Sequence, residues 1–374
     1  MQTTYIRTAL EHGKWRREGP LTIMVIDNDI LTKTLYVGET KFNVQFNKAR
    51  VRSSAAKTDA DSIAKRPCFL CKENRPPEQP SKDWRSRYEI LENPFPIFPK
   101  HLTIPTYEHI PQQIEGKFAD MLALAVDFPE LTIFFNGARC GASAPDHMHF
   151  QAGSRLFMPI EQQWQERIGE HLAVVGQARL HIMENDPRNT LVMISDKADD
   201  AVKLLEKILW ALSWVQTTSL NDIQSIREGE ICGECLPQSW KLKGVELPQS
   251  GRIIEQNKLS AVLCNEGSES QEEPNVNVLC YYENRQWFTF IFPRTRHRPS
   301  CYFSEGDEQM IISPASVDLG GVFITVRESD FKHLDATRLE NILHEVCWQE
   351  QEIKVFKDSL RAMALQSDEP EQKL

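Results

Sequence analysis

Hydrophobic and polar positions follow two different spacings along this chain. The run from Leu131 to Phe135 is mostly apolar and of strand length, so it predicts a buried strand. Residues 147–151 alternate polar and apolar side chains, which is typical of a half-exposed strand. Residues 117–128 and 198–214 carry apolar side chains at helical spacing, which predicts two helices packed on a core.

The last third of the chain repeats this mixture. Residues 275–282 and 286–292 flank a turn and predict a β-hairpin. Helical spacing then indicates two helices, at about 335–348 and 350–364. Strands and helices mixed in this way predict an α/β or α+β chain.

The region between these parts lacks a clear spacing. Residues 221–248 show little periodicity, and we interpret them as a connection between two halves. We therefore predict an N-terminal catalytic half at 1–220 and a C-terminal half at 221–365. A charged tail at 366–374 is predicted to be disordered.

Composition narrows the class of partner. The 374 residues carry a net charge of −10, which argues against nucleic acid because a phosphate backbone requires a basic surface. A small phosphorylated substrate stays compatible, since it needs only a local basic pocket. No apolar run approaches the roughly 20 residues of a membrane span, and the N-terminus shows no export signal. We expect a cytoplasmic enzyme without membrane contacts.

The segment from His147 to Gln151 carries the strongest chemical signal. Side chains two apart on a strand point to the same side, so His147, His149 and Gln151 share one face. A neutral imidazole can attack phosphorus, and a carboxamide can donate to a non-bridging oxygen. We interpret these residues as catalytic.

The loop before this strand is rich in small residues and turn formers. Gly137 lets the backbone approach a ligand closely. Asn136 can hydrogen-bond to a phosphate or a ribose, and Arg139 can contact a phosphate. These residues predict a substrate-binding loop next to the histidines.

The stretch from Asn136 to Gln151 resembles the histidine-triad superfamily. It is most similar to the transferase branch, which comprises galactose-1-phosphate uridylyltransferases, diadenosine-tetraphosphate phosphorylases and GDP-hexose phosphorylases. Gln151 stands where the hydrolase branch has a third histidine. The resemblance implies that His149 forms a covalent nucleotidyl intermediate for a second acceptor. It also implies an α+β fold of two histidine-triad-like halves, each an antiparallel sheet with helices packed on one side, and a homodimer.

Three further segments agree with this resemblance. Asn93 and Phe95 lie in a segment similar to one that frames the nucleotide in the uridylyltransferases. Residues 42–50 resemble a nucleotide-contacting strand of the phosphorylases. Residues 312–321 are similar to a C-terminal segment of the GDP-hexose phosphorylases.

Two cysteines upstream indicate a metal site. Cys68 and Cys71 have the spacing of a zinc knuckle. In the uridylyltransferase branch such a pair is completed by two histidines, which match His109 and His147 here. The resemblance therefore implies a structural Zn²⁺ with four protein ligands.

Other assignments of these cysteines remain open. His101 can take the place of His109 as the third ligand. The cysteines can instead join Cys232 and Cys235 in a four-cysteine site, or stay free buried thiols. The GDP-hexose phosphorylases do not clearly share the first cysteine pair, so the chain combines features of two branches.

Two basic clusters can balance the charge of a nucleotide. The first includes Lys48 and Arg50, and the second includes Arg296 and Arg298. Arginine suits bidentate contact with phosphate, so we interpret these four as substrate-binding residues.

These observations together predict a nucleotidyltransferase. We expect it to act on a nucleoside-diphosphate sugar, a GDP- or UDP-hexose, with inorganic phosphate or a sugar phosphate as the acceptor. Phosphorolysis of diadenosine polyphosphates by the same nucleophile is one alternative. A zinc-stabilised nucleotide-binding protein without catalysis is the other.

Overall fold

The computed structural model describes most of the chain, namely residues 16–18, 21–23, 30–51, 59–217 and 273–366. The predicted boundary at residue 220, the Cys232 and Cys235 pair, and nearly all of the predicted tail lie outside these residues. The division into halves at residue 220 therefore stays a prediction.

The strands in chain order are β1 Arg16–Glu18, β2 Leu21–Ile23, β3 Leu31–Val37, β4 Thr40–Phe46, β5 Ser81–Trp84, β6 Tyr88–Glu92, β7 His101–Pro105, β8 Leu131–Asn136, β9 His149–Ser154, β10 Ile168–Val175, β11 Ala178–Met183, β12 Leu191–Ser195, β13 Val276–Glu283, β14 Gln286–Pro293 and β15 Val322–Thr325.

The helices are α1 Ala60–Lys65, α2 Phe118–Asp127, α3 Ile160–Gln163, α4 Ala198–Thr217, α5 Ser316–Leu319, α6 Glu328–His333, α7 Ala336–Val346 and α8 Glu350–Gln366. Within the described ranges, no helix is both long enough and apolar enough to span a membrane.

Ten strands of the described residues form one continuous sheet. Its order is β10-β11-β12-β14-β13-β8-β9-β7-β6-β5, and each neighbouring pair is antiparallel. The sheet consists of two sets of five strands that meet where β8 pairs with β13, with Phe134 opposite Leu279. The α+β class with antiparallel strands is thereby confirmed. β10 to β12 lie on the C-terminal side of this junction although they precede residue 220.

Alternate side chains of the sheet enter two different cores. Ile133 and Phe135 of β8 join the core beneath the long helices α2, α4 and α8. Phe134, between them, joins a second core on the opposite face. Complete burial of all three side chains explains why the β8 segment reads as one apolar run.

A smaller sheet covers part of this opposite face. β15 pairs with β4 in parallel, with Val322 opposite Asn43, and β3 pairs with the other edge of β4. This pairing joins the N-terminal segment that ends near Arg50 to the C-terminal segment around Asp318. Both segments therefore lie on the face of the large sheet to which His149 and Gln151 of β9 belong.

Candidate active site

A cleft of about 480 Å³ lies beside β9 and is lined by His149 and Gln151. The wall also includes Arg50, Asn93 and Phe95. The structure thus brings together predicted residues from three separate segments of the chain. The apolar side chains in the wall provide the kind of surface on which a base or another flat ring can pack.

The backbone of His149 is held by an unusual partner. His149 stands opposite Pro105 of β7. The adjacent pair, Thr106 with Met148, is the hydrogen-bonded one, so the N–H and the carbonyl of His149 face away from β7. The side chain of Gln112 bonds to both of these groups. Its Oε1 accepts from the His149 N–H at 2.8 Å, and its Nε2 donates to the His149 carbonyl at 3.0 Å. Gln112 Nε2 also donates to the Asn136 carbonyl at 2.9 Å, which ties the ends of β8 and β9 together.

The ring of His149 has a defined tautomer. Its Nδ1 lies 2.7 Å from the His147 carbonyl oxygen, which can only accept, so Nδ1 carries the proton. The lone pair of the neutral ring is then on Nε2. Burial lowers the pKa of His149 to about 4, although the hydrogen bond to His147 opposes this shift. His149 is therefore a neutral imidazole with a lone pair, which is the form that a nucleophile requires.

Asn93 shapes another part of the wall. Its side-chain oxygen accepts from the backbone N–H of Phe95 at 2.9 Å, and its nitrogen donates to the Thr103 hydroxyl at 2.9 Å. The Phe95 carbonyl accepts from Arg50 Nη1 at 2.7 Å, so the segment similar to the uridylyltransferases is fixed to the end of the N-terminal strand pair.

A second, smaller cavity of about 50 Å³ adjoins the cleft. Arg50, Ser143 and Gln151 line both spaces. The exposed surface of the small cavity is mostly polar, and its further lining includes Asn136 and Arg298. Gln151 therefore stands where a large, partly apolar cleft meets a small polar space.

A serine links two basic residues of the small cavity. Arg298 Nε donates to the Ser313 hydroxyl oxygen at 3.2 Å, and that hydroxyl lies 3.1 Å from His297 Nε2. Burial, with Arg298 close by, lowers the pKa of His297 to about 3, so its ring is neutral. The positive charge of this group is thus concentrated on Arg298.

Arg294 holds the turn that carries these residues. It is fully buried, and its Nη2 donates to the carbonyls of Arg296 and His297 at 3.0 and 3.1 Å. Its Nη1 donates to Asn277 Oδ1 at 2.5 Å, and Asn277 donates in turn to the side chain of Asn136 at 3.1 Å. Arg294 and Asn277 therefore connect the C-terminal basic turn to the loop before His149.

The predicted metal ligands converge on the other side of His147. One ligand atom from each of Cys68, Cys71, His109 and His147 lies within 4.8 Å of the other three. His147 Nδ1 is 3.3 Å from Cys68 Sγ and 3.5 Å from Cys71 Sγ, and His109 Nδ1 is 3.2 Å from Cys71 Sγ. The group can hold a metal ion.

The ring of His147 is oriented for this role. Its Nε2 lies 2.9 Å from the Thr106 carbonyl, which fixes the proton there and leaves the Nδ1 lone pair toward the sulfurs. A backbone acceptor on the far nitrogen is the usual arrangement for a histidine that binds a metal. His101, the alternative third ligand, lies outside this group and contacts Gln151 instead.

Four predicted residues have other surroundings. His147 precedes β9, which begins at His149, and faces the cysteines rather than sharing one face with His149 and Gln151. Arg139 donates to Asn275 Oδ1 at 3.1 Å and to the Glu273 carbonyl at 3.2 Å. Arg296 pairs with Glu345 at 3.5 Å, and Lys48 is exposed. None of the four belongs to the lining of the two described cavities.

Gly137 is needed for packing rather than for ligand approach. A Cβ at this position would lie 2.6 Å from the Val276 carbonyl oxygen, so a larger residue would push β13 away from the loop. The close backbone approach expected at this glycine is therefore made with another strand of the same protein.

Several residues of the site were not predicted. Phe69 and Leu70 between the cysteines, together with Arg75 after them, line the large cleft. Ser143 lies in the loop before His149, and Ser313 lies in the C-terminal segment that resembles the GDP-hexose phosphorylases. A usable signal existed for the serines, since both stand in segments already marked. Phe69 and Leu70 had no signal beyond the metal motif.

Comparison with known proteins gives few matches by sequence. Residues 25–154 match the model of a family described as a domain of unknown function, DUF4922. A search of curated proteins finds no match.

Solved structures give several matches at low identity. Yeast Ap4A phosphorylase Apa2 in complex with Ap4A is 14% identical, with 85% of this chain and 90% of that chain covered and a TM-score of 0.47. A DUF4931 family protein from Bacillus cereus is 12% identical, with 57% and 85% covered and a TM-score of 0.33. A GalT-like protein from Arabidopsis thaliana is 11% identical, with 84% and 99% covered and a TM-score of 0.32.

Proposed function

We propose that this protein is a nucleotidyltransferase that works through a covalent nucleotidyl intermediate on His149. One observation carries the proposal. The His149 ring, with its lone pair on Nε2, lines the same cleft as Gln151, and Gln151 also lines the small polar cavity. A nucleophile and an amide that can donate to a phosphate therefore lie next to each other, where the large cleft meets the small cavity.

The reaction divides into two displacements at one phosphorus. In the first, the Nε2 lone pair attacks the α-phosphorus, the Nε2–P bond forms, and the bond from phosphorus to the leaving phosphate oxygen breaks. In the second, an oxygen of the acceptor attacks, the N–P bond breaks, and its electron pair returns to Nε2. Throughout, the proton stays on Nδ1 and is donated to the His147 carbonyl oxygen, which favours the positive charge of the substituted ring.

The two spaces suggest where each part of the substrate binds. The large cleft can take a nucleoside, with Phe95 and Leu91 offering apolar contact and Arg75 and Asn74 offering polar contact. The small cavity of about 50 Å³ has room for a few water-sized groups, since a cavity needs roughly 10–15 Å³ to hold one water molecule. It suits a single phosphate group, either of the leaving sugar phosphate or of an inorganic phosphate acceptor.

Arg50 and Arg298 supply the charge for this phosphate. Both line the small cavity, and Arg50 also lines the cleft, so one arginine can contact two successive phosphates. Burial lowers the pKa of Arg50 to about 10, and it still carries its charge at neutral pH. Arginine favours such contacts because its planar group donates two parallel hydrogen bonds.

The four ligands near His147 fit a structural Zn²⁺. Two thiolates and two imidazole nitrogens are a donor set that zinc favours, and all four positions come from the protein. A bound zinc would supply a crosslink between the Cys68 segment and the residues just before β9. The metal would then fix the backbone just before His149, the first residue of β9. Its ligands would be Cys68, Cys71, His109 and His147.

A donor and acceptor screen tests the proposal. GDP-hexoses and UDP-hexoses are tested as donors, with inorganic phosphate or a hexose 1-phosphate as the acceptor. Diadenosine tetraphosphate is tested as the rival donor. The products are identified by mass spectrometry. We expect turnover of a nucleoside-diphosphate hexose with phosphate, and loss of turnover in His149→Ala. Faster cleavage of diadenosine tetraphosphate would favour the polyphosphate phosphorylase alternative. Nucleotide binding without any exchange would favour the non-catalytic alternative.

A further inference from the structure

His101 contacts Gln151 from the neighbouring strand. Its Nε2 lies 3.0 Å from Gln151 Oε1, and its Nδ1 lies 3.0 Å from the backbone nitrogen of Ile97. The ring is buried and packs against the rings of Phe98 and Phe134, at centroid distances of 5.2 and 5.8 Å. Both ring nitrogens and both neighbouring rings therefore restrict its orientation.

The contact with Ile97 decides which nitrogen carries the proton. A backbone N–H can only donate, so the Nδ1 of His101 must accept and cannot be protonated. A neutral ring then has its proton on Nε2, and this N–H donates to Gln151. The assignment depends on a backbone group and not on a choice between the oxygen and nitrogen of an amide.

The orientation of the Gln151 amide follows from this proton. A carboxamide can turn over and exchange its oxygen and its nitrogen in space. The N–H of His101 can donate only to the Gln151 oxygen, so it is compatible with one orientation, the one in which that oxygen faces His101. The NH₂ group is then directed away from His101, and Gln151 lines both cavities.

We propose that His101 is a positioning residue that locks Gln151 with its NH₂ group toward the bound phosphate. The reverse orientation would present a carbonyl oxygen to a phosphate oxygen, which is repulsive. A donor fixed before the reaction stabilises developing negative charge without having to reorganise. This inference rests on the proposed function for the identity of the reacting group.

A matched pair of variants separates this role from a purely structural one. In His101→Asn the side-chain amide lies near the position of Nδ1. It can accept from the Ile97 N–H, but it is too short to reach Gln151. In His101→Gln the amide stands near the position of Nε2, so it can donate to Gln151. We expect His101→Asn to lower kcat about 10–100-fold, the range known for the loss of a partner that orients a metal-binding residue. His101→Gln should keep kcat within about 3-fold of the unchanged protein, and the KM for the nucleotide should change little in both variants. The opposite order of the two variants would overturn the proposal.

A double-mutant cycle with Gln151→Ala adds a second test. If His101 acts through Gln151, His101→Asn should change kcat less than about 2-fold once the amide is absent. An equal loss in both backgrounds would show a separate role and overturn the proposal.

The tautomer itself can be measured without any turnover. Nitrogen-15 NMR of the histidine-labelled protein, with the His101 signals assigned by their loss in His101→Asn, should show a neutral ring protonated at Nε2. A ring protonated at Nδ1 would overturn the inference even if the enzyme is active. Protonation at Nε2 in a protein without nucleotidyl transfer would instead contradict the proposed function. The inference that His101 fixes the orientation of the Gln151 amide would then stand.

Discussion

Two histidines separated by one residue have opposite surroundings in this protein. His147 directs Nδ1 to two sulfurs and belongs to a group suited to a metal, whereas His149 directs Nδ1 to a backbone carbonyl and lines the cleft. The difference comes from the start of β9 at His149, which leaves His147 in the preceding turn. We infer that the first region stabilises the loop and that the second performs the chemistry. Variants in the two regions should therefore affect different quantities.

The largest effect is expected for the nucleophile. His149→Ala should lower kcat by about 10⁴-fold or more, because it removes the Nε2 lone pair that forms the proposed covalent intermediate. The unfolding midpoint should change by less than about 5 °C, since the buried ring lines the cleft and its hydrogen bond is to the nearby carbonyl of His147. Steady-state assays measure kcat, and thermal melts measure the unfolding midpoint. His171→Ala, at an exposed histidine of β10, is the control. Turnover within tenfold of normal in His149→Ala would contradict the division of roles.

The next effect is expected at the amide. Gln151→Ala should lower kcat about 10²–10³-fold, the range seen when one donor to a developing oxyanion is removed. Gln151→Glu should be worse, because a carboxylate repels the phosphate. Single-turnover assays of the nucleotide-release step measure both variants. Equal rates for Gln151→Ala and Gln151→Glu would show that Gln151 faces no negative group.

A smaller effect is expected for the small cavity. Arg298→Ala should raise the KM for the phosphate acceptor about 10–100-fold, since a charge-assisted hydrogen bond contributes roughly 1.5–3 kcal/mol. Arg139→Ala is the matched control, because Arg139 bonds to Asn275 and Glu273 instead. Its KM should stay within about 2-fold. A larger effect for Arg139→Ala than for Arg298→Ala, measured over a range of phosphate concentrations, would reverse the assignment of the two arginines.

The smallest effect on turnover, with the largest effect on stability, is expected at the metal group. Cys68→Ser should reduce bound zinc, measured by elemental analysis, and lower the unfolding midpoint by about 5–10 °C, since each kcal/mol shifts it by about 2–4 °C in domains of roughly 200 residues. At low temperature, kcat should fall only a few-fold, because none of the four ligands lines the cleft. The thiol of Cys301, outside the group, gives the control variant Cys301→Ser. An unchanged midpoint and no zinc in the purified protein would remove the structural role.

The periodic parts of the fold could be predicted closely. The predicted strand at 131–135 is β8, and the predicted hairpin at 275–292 is formed by β13 and β14. The helices predicted at 117–128 and 198–214 are α2 and α4. In each of these, apolar side chains at a regular spacing face a core, so the spacing itself carries the information.

The candidate site was predicted less completely, for physical reasons. His149 and Gln151 lie in one short motif, and Arg298 belongs to a basic cluster that the sequence shows, whereas Ser313 reaches the small cavity through contacts between distant segments. Arg139 was expected at the substrate, yet an arginine in a loop bonds to whichever acceptors the folded chain places nearby. The role of His101 depends on a hydrogen bond to the backbone of Ile97, and such a contact leaves no spacing in the sequence.

The central claim is that His149 carries the nucleotidyl group between donor and acceptor. The most direct measurement is intact mass after brief exposure to a nucleoside-diphosphate hexose without acceptor, followed by peptide mapping at neutral to alkaline pH. The account predicts a mass increase of one nucleoside monophosphate group on the peptide that contains His149, discharged when inorganic phosphate is added. Turnover with that peptide unmodified, or with the group on another residue, would contradict it.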